Sequence, residues 1–305
     1  MPFRRLPCCI PAALACCLLL LTSLAGPATA DEQIAVFWGR HADEGTLREA
    51  CDTGYYNTVI ISFYTAFGAH GDDHRIDLSG HPLRGVGADI KHCQRKGILV
   101  LLSIGGPAGN GSGEHYSLPS SRAASDVADN LWNSVLVGRR SGVFRPFGDA
   151  VVDGIDFFID RGSGDHYDEL ATKLSMYGNG GGGKGKKGLM LTATPRCSYP
   201  DKRLEKALAT GLFARIHVRM FGRRDASCTT AARESWEKWA AAYPASQVYL
   251  GLVASPEQDD PGYLSPKPLY YTVVMYIRDR DNYGGKVIWD RYYDNKTGYS
   301  TGRLI

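Results

Sequence analysis

Eight short runs in which nearly every position is apolar recur along the chain. They are QIAVFWG (33–39), TVIISFY (58–64), ILVLLSIGG (98–106), DGIDFFID (153–160), GLMLTAT (188–194), RIHVRMF (215–221), VYLGLVA (248–254) and GGKVIWD (284–290). Apolar character that is continuous rather than alternating belongs to parallel strands covered on both faces. Between the runs, apolar residues return at helical spacing: Tyr167, Leu170, Leu174 and Tyr177 share one face, Leu204, Leu208 and Leu212 a second, and Ala232, Trp236, Trp239 and Tyr243 a third. Trp236 and Trp239 fall on the buried stripe, which assigns them to the core. Strands alternating with helices eight times over predict an α/β fold, a single-domain (β/α)8 TIM barrel spanning 31–305. The runner-up is a doubly wound open sheet, but no GxGxxG follows the first strand.

The first thirty residues stand outside this pattern. A basic start (MPFRR), an apolar run (IPAALACCLLLLTSLAG) and the small-residue triplet Ala28-Thr29-Ala30 read as a secretory signal peptide cut before Asp31. The apolar run is short of the ~20 residues that a membrane span needs, and no comparable segment follows. Removing residues 1–30 takes away Arg4 and Arg5 and no acid, so 35 bases against 32 acids become 33 against 32, a net charge of +1. Such a balance gives no basic excess for nucleic acid or an anionic membrane. Four cysteines remain, Cys51, Cys93, Cys197 and Cys228. In an oxidising compartment they predict two disulfides, with three pairings open. A metal site is not expected, because no two lie at CxxC spacing and no histidine cluster joins them. No cofactor motif is present either. Asn110-Gly111-Ser112 and Asn295-Lys296-Thr297 are N-glycosylation sequons, which suits the same compartment.

In a barrel, function gathers at the C-terminal ends of the strands. Several ends are unusual here. The third strand closes on Ser103-Ile104-Gly105-Gly106 and the eighth on Trp289-Asp290-Arg291-Tyr292-Tyr293-Asp294. The fourth carries Asp153, Asp156 and Asp160, three acids in an apolar strand. Acids and aromatics around one rim suit sugar binding. The tract YGNGGGGKGKKG (177–188) lies at the other end, with Lys184, Lys186 and Lys187, and its composition is that of a solvated linker.

SIGG in the third strand and DGIDFFID in the fourth resemble the paired signatures of glycoside hydrolase family 18, whose strand-four motif reads D-x-x-D-x-D-x-E. The resemblance runs on through EGTLREAC, SFYTAFG, DLSGH, LWN, RPFGDAVVDG, LTATPRC and NYGGKVIWDRYYD. The pattern is similar to plant class III chitinases and closer to the cereal xylanase inhibitor proteins built on the same scaffold, through VFWGR, LREACD, GADIKHCQ and YSLPS. It implies a (β/α)8 barrel and the disulfides Cys51–Cys93 and Cys197–Cys228.

The resemblance also implies a lost reaction. In active members the final Glu protonates the glycosidic oxygen, and the Asp two residues earlier steadies the substrate's acetamido group as that group attacks the anomeric carbon. This substrate-assisted scheme stands apart from the usual two-carboxylate one. The assisting position here is Phe158, which can neither accept the acetamide N–H nor stabilise the charge, a loss of several kcal/mol. Asp160 replaces the Glu and withdraws the acid by one methylene, a misplacement that costs about 100-fold. Phe221 stands where active members hold the acetamide with a Tyr. Phe37 and Arg40 replace a Tyr and a Gln of the first strand. Asp153 and Asp156 are expected to remain as hydrogen-bonded interior groups, and Trp289 as the ring of the former sugar site. No residue is assigned a catalytic role.

The function implied is a secreted, apoplastic, monomeric inhibitor of microbial, chiefly fungal, endo-1,4-β-xylanases, acting by occluding the enzyme's groove. Two surfaces carry this in the inhibitor branch. The loop between helix four and strand five inserts a basic residue into family 11 xylanases, and the region around helix seven blocks family 10 enzymes. Lys184, Lys186 and Lys187 occupy the first, but no arginine stands there, and four consecutive glycines make ordering costly. Lys267, Arg278 and Arg280 lie in the second, SPKPLYYTVVMYIRDRDN. Inhibition of family 10 is therefore the stronger expectation. The alternatives are a lectin for chitin fragments or other glycans and, last, a hydrolase working through Asp160 alone.

Overall fold

The computed structural model describes residues 32–68, 74–107, 115–180, 188–222 and 226–301. Residues 1–30, where a signal peptide is expected, Asn110, and Lys184, Lys186 and Lys187 lie outside these residues. Gln33–Ile305 form one unit. Its eight barrel strands are β1 (Ile34–Trp38), β2 (Thr58–Phe67), β3 (Leu99–Gly106), β4 (Gly154–Ile159), β5 (Met190–Ala193), β6 (Arg215–Arg219), β7 (Gln247–Val253) and β8 (Tyr283–Trp289). Every neighbouring pair is parallel, and β8 returns to β1 through Ile34 opposite Lys286, which closes the barrel. Each strand lies inside the apolar run that predicts it or extends it by a few residues. Two short arms, Arg75–Ile76 and His115–Tyr116, also pair with the far end of β2.

The helices are α1 (Leu47–Asp52), α2 (Val86–Arg95), α3 (Ser121–Ser134), α4 (Tyr167–Gly180), α5 (Glu205–Leu208), a single turn Ala226–Thr230 that carries Cys228, and α6 (Ala232–Ala242). Next comes a composite α7, built from Pro266–Leu269, a π-helical stretch Tyr270–Val274 and Met275–Ile277, and then α8 (Arg291–Thr297). Local chemistry sets several ends. Thr46 and Glu49 form a reciprocal capping box on α1, and the Asp290 carboxylate accepts from the Tyr293 N–H to start α8. Two sequence expectations need adjusting. The first residues of the glycine tract, 177–180, are the last turn of α4, held where Tyr177 donates to Asp129 and packs on Trp132 at 5.3 Å. Helix α5 is only four residues long, so Leu212 lies beyond it.

Strand alternation divides the buried side chains into two cores. Outward residues such as Ile155, Phe157 and Ile159 join the helices, including Trp236 and Trp239, in a single large cluster. Inward residues form a separate one: Ala35, Phe37, Ile60, Phe63, Leu101, Phe158, Tyr249 and Val287. Disulfides join Cys51 to Cys93, tying α1 to α2, and Cys197 to Cys228. No helix of the described residues is long and apolar enough to cross a membrane, and none of their His, Cys, Asp and Glu side chains group to hold a metal.

Candidate functional site

The C-terminal mouth is built by β3, β4, β6 and β8. Gly105, at the end of β3, adopts φ +95°, and a Cβ there would meet the Phe158 carbonyl oxygen at 2.2 Å. The glycines of SIGG therefore let β3 and β4 close on each other.

Asp156 is fully buried in the middle of the barrel. Its carboxylate accepts from Ser103 Oγ (2.7 Å), Thr192 Oγ1 (2.7 Å) and Thr194 Oγ1 (2.9 Å), and His217 Nδ1 lies 3.3 Å away. Burial alone would raise its pKa. The hydrogen bond and charge of His217, with the Ser103 and Thr192 hydroxyls, outweigh burial and hold it below the usual carboxylate range. Asp156 thus survives as the saturated interior group that the sequence predicts. Asp153 does not share that place, which corrects its assignment to the old site. Its position has the opposite parity to Asp156, and it precedes β4 at the N-terminal end of the barrel. There its Oδ2 accepts from the Val100 N–H (2.8 Å) and Gln94 Nε2 (3.0 Å).

Phe158 is 1% exposed and fills the barrel axis. Its ring meets Phe63 at 5.3 Å, Trp289 at 5.7 Å and Phe37 at 5.9 Å. Phe221 lies over Trp289 at 6.3 Å. Four phenylalanines therefore surround one indole, at the offset and edge-on distances that aromatic rings favour. Above them remains a cavity of about 200 Å³, reaching Asp160, Arg219, Gln258 and Asp259. Pockets that enclose small ligands run from about 300 Å³ upward.

Asp160, 7% exposed, is clamped. Arg219 donates to it twice, Nη2 to Oδ1 at 2.7 Å and Nη1 to Oδ2 at 3.1 Å, and Arg196 Nε adds a bond of 3.1 Å. The Arg219 guanidinium also lies 4.0 Å above the Phe158 ring. Burial pushes the Asp160 carboxyl up, but the charges and hydrogen bonds of Arg219 and Arg196 prevail and hold it at about 2. A general acid needs a pKa near the working pH, and this group stays ionised far below it. The mouth thus pairs a carboxylate without a proton with a phenyl ring where an acceptor is required. Arg196 and Arg219 are the residues that sequence reasoning missed. One signal was present: Arg215, His217 and Arg219 alternate along β6, so the charges face inward.

The residues expected from the sequence to form an inhibitor surface lie apart from the mouth. Lys267, Arg278 and Arg280 are exposed on α7 and just beyond it. Arg278 Nη1 donates to the Tyr270 hydroxyl at 2.9 Å, and Arg280 lies 3.7 Å from Glu237. Around them Tyr270 (41%), Tyr271 (58%), Met275 (42%) and Tyr276 (50%) are exposed, with the Arg233 guanidinium 4.5 Å above Tyr276. Asn295, of the second sequon, is exposed on α8.

These features define a glycosidase-type (β/α)8 barrel whose mouth is filled by aromatic rings and whose remaining acid is neutralised. The chain belongs to the glycosyl hydrolases family 18, whose family model matches residues 33–254. Among its relatives, xylanase inhibitor protein 2 of Oryza sativa subsp. japonica is 62% identical over 275 residues, covering 90% of this chain and 91% of that one. Xylanase inhibitor protein 1 of Triticum aestivum is 48% identical, covering 97% and 96%. The crystal structure of the xylanase and alpha-amylase inhibitor protein XAIP-II from Scadoxus multiflorus superposes with a TM-score of 0.81 at 37% identity, covering 90% of this chain and 98% of that one.

Proposed function

We propose that the protein is a secreted, monomeric inhibitor of microbial endo-1,4-β-xylanases on a catalytically inactive chitinase-like barrel, acting on family 10 enzymes more than on family 11. The observation that carries this reading is the pairing of a closed mouth with an exposed patch of tyrosines, methionine and arginines on α7. Aromatic residues, Met and Arg are the types enriched where proteins dock, and contiguous apolar surface on a soluble protein marks such sites. Lys267, Arg278 and Arg280 give the patch the charge that suits an enzyme groove lined with carboxylates. Identity to inhibitor relatives from two grasses supports the target class. A glycan lectin is opposed by the small cavity and the boxed indole of Trp289.

The decisive experiment is a panel of fungal family 10 and family 11 xylanases assayed with the mature protein. A saturable, tight dose response is expected with at least one family 10 enzyme. A panel left untouched would end the inhibitor reading. Replacing Lys184, Lys186 and Lys187 together tests the second surface, and should weaken family 11 inhibition alone if that tract docks.

A further inference from the structure

We infer that a second cavity, at the N-terminal end of the barrel, binds a planar aromatic carboxylate that carries a phenolic hydroxyl. The cavity measures about 640 Å³, three times the one at the mouth, and lies among the first residues of β3 to β6 and helix α3. That is within the range of small-molecule sites. Its walls include Trp132, Leu136 and Met190, and its polar side chains are Gln94, Asp153 and Arg215. Val137, 47% exposed, stands at its edge, so solvent reaches it.

Two of these groups are charged and incompletely matched. Arg215 donates to Thr58 Oγ1 at 3.0 Å and its guanidinium lies 5.4 Å above the Tyr249 ring, yet among the described residues no carboxylate comes within 4 Å of it. Asp153 receives both of its hydrogen bonds, from Val100 and Gln94, on Oδ2. Its Oδ1 has neither a hydrogen-bond partner nor a salt-bridging cation among the described residues. A cation and an anion thus face one mainly apolar cavity without pairing to each other. Part-buried charges are stabilised when something completes them.

Position decides what can do so. Asp153 precedes β4 and Arg215 opens β6, two strand spacings or roughly 10 Å apart at the backbone. A ligand must therefore carry its anionic group and its hydrogen-bond donor at opposite ends. A compact zwitterion has both on one carbon. A sugar would set hydroxyls against Leu136 and Met190, where nothing accepts them. A flat ring with a carboxylate for Arg215 and a hydroxyl for Asp153 Oδ1 satisfies both charges. It also stacks on Trp132, itself held by Tyr177.

Calorimetric titration of the unaltered protein with 4-hydroxycinnamate tests this, and it does not depend on xylanase inhibition. Saturable one-to-one binding is expected. The methyl ester, which removes the charge, should bind at least about tenfold more weakly, the scale of a charge-assisted hydrogen bond. Cinnamate, without the hydroxyl, should bind several-fold more weakly. Arg215→Met should reproduce the ester's loss, and Arg215→Lys should recover part of it. Absence of saturation at millimolar concentration, equal affinity for acid and ester, or tighter binding of phenylalanine or glucuronate would each overturn the assignment. Because the ester comparison uses the native chain, a variant that fails to fold does not blunt the test.

Discussion

Replacing Asp160 with Asn should destabilise the protein strongly while leaving xylanase inhibition intact. The amide keeps the shape of the carboxylate but not its charge, and its NH₂ would face the donors of Arg219. Arg219 is 5% exposed and has no other carboxylate within reach among the described residues. Removing one partner of such a buried pair costs about 3–5 kcal/mol, a large share of the roughly 5–15 kcal/mol that stabilises a domain. For a domain of this size that is a fall in Tm of roughly 6–20 °C, measurable by calorimetry or circular dichroism.

Acid titration gives an independent reading of the same clamp. The folded Asp160 pKa, about 2, lies below its ordinary value of 3.8. Its contribution is complete above pH 4 and is lost as the pH falls through 2, a difference of about 2 kcal/mol. The wild type should show that loss and Asp160→Asn should not. Asp160→Asn combined with Arg219→Met should recover much of the single variant's deficit, because the stranded charge goes with its partner. A Tm within 2 °C of wild type for the single variant, or strictly additive effects in the double, would refute the reasoning.

Chitooligosaccharide hydrolysis should be undetectable from pH 4 to 8, since Asp160 is almost wholly ionised there; turnover abolished by Asp160→Ala would reverse this. Stability should peak between about pH 4 and 6. Burial, opposed by the charge of His41, raises Asp290 to about 6, so its folded state gains protons and stability as the pH falls from 7 towards 4. His81 is raised by its hydrogen bond to Glu44, and its contribution is lost as the pH rises through its folded value. A chemical-denaturation series with its maximum at pH 7 or above would contradict both. Tyr271→Ala and Tyr276→Ala should change stability by under ~0.5 kcal/mol, being exposed, yet weaken family 10 inhibition by roughly 30-fold, the scale of an interface hot spot. Unaltered inhibition constants would clear α7 of a docking role.

The barrel was legible because continuous apolar runs fix parallel strands, and their number fixed closure. The mouth was legible only in part. Phe158 could be read as a missing acceptor, but its contacts with Phe37 and Phe63 join strands that no local pattern connects. Nor could the clamp be foreseen from DGIDFFID alone, since Arg196 comes from the segment that follows β5 and Arg219 from the end of β6. Asp153 was misplaced for a simpler reason. Period-two alternation separates it from Asp156, and counting parity would have put it on the outer face. The helical turn at 177–180 runs against the low propensity of Gly178 and Gly180, and holds because Tyr177 is anchored to Trp132 and Asp129.

The composite helix α7 shows how the docking surface proposed here can coexist with a packed barrel. Leu269 and Val274 are buried, while Tyr270 and Met275, and Tyr271 and Tyr276, are exposed. Each of these pairs is five residues apart. In an α-helix, positions five apart lie about 140° round the axis, so although Leu269, Val273 and Ile277 keep four-residue spacing on the buried side, Val274 would turn away from Leu269 and Tyr276 from Tyr271. The π-helical stretch Tyr270–Val274 changes that spacing, because i→i+5 hydrogen bonds bring residues five apart close to register. The same distortion therefore keeps Leu269 and Val274 against the core and gathers three tyrosines and a methionine on the outside. With the mouth closed by Phe158 and neutralised by Arg219, the exposed aromatic and basic side chains of α7 stand on a helix face whose geometry the core itself enforces. A surface so fixed loses little conformational entropy when it docks.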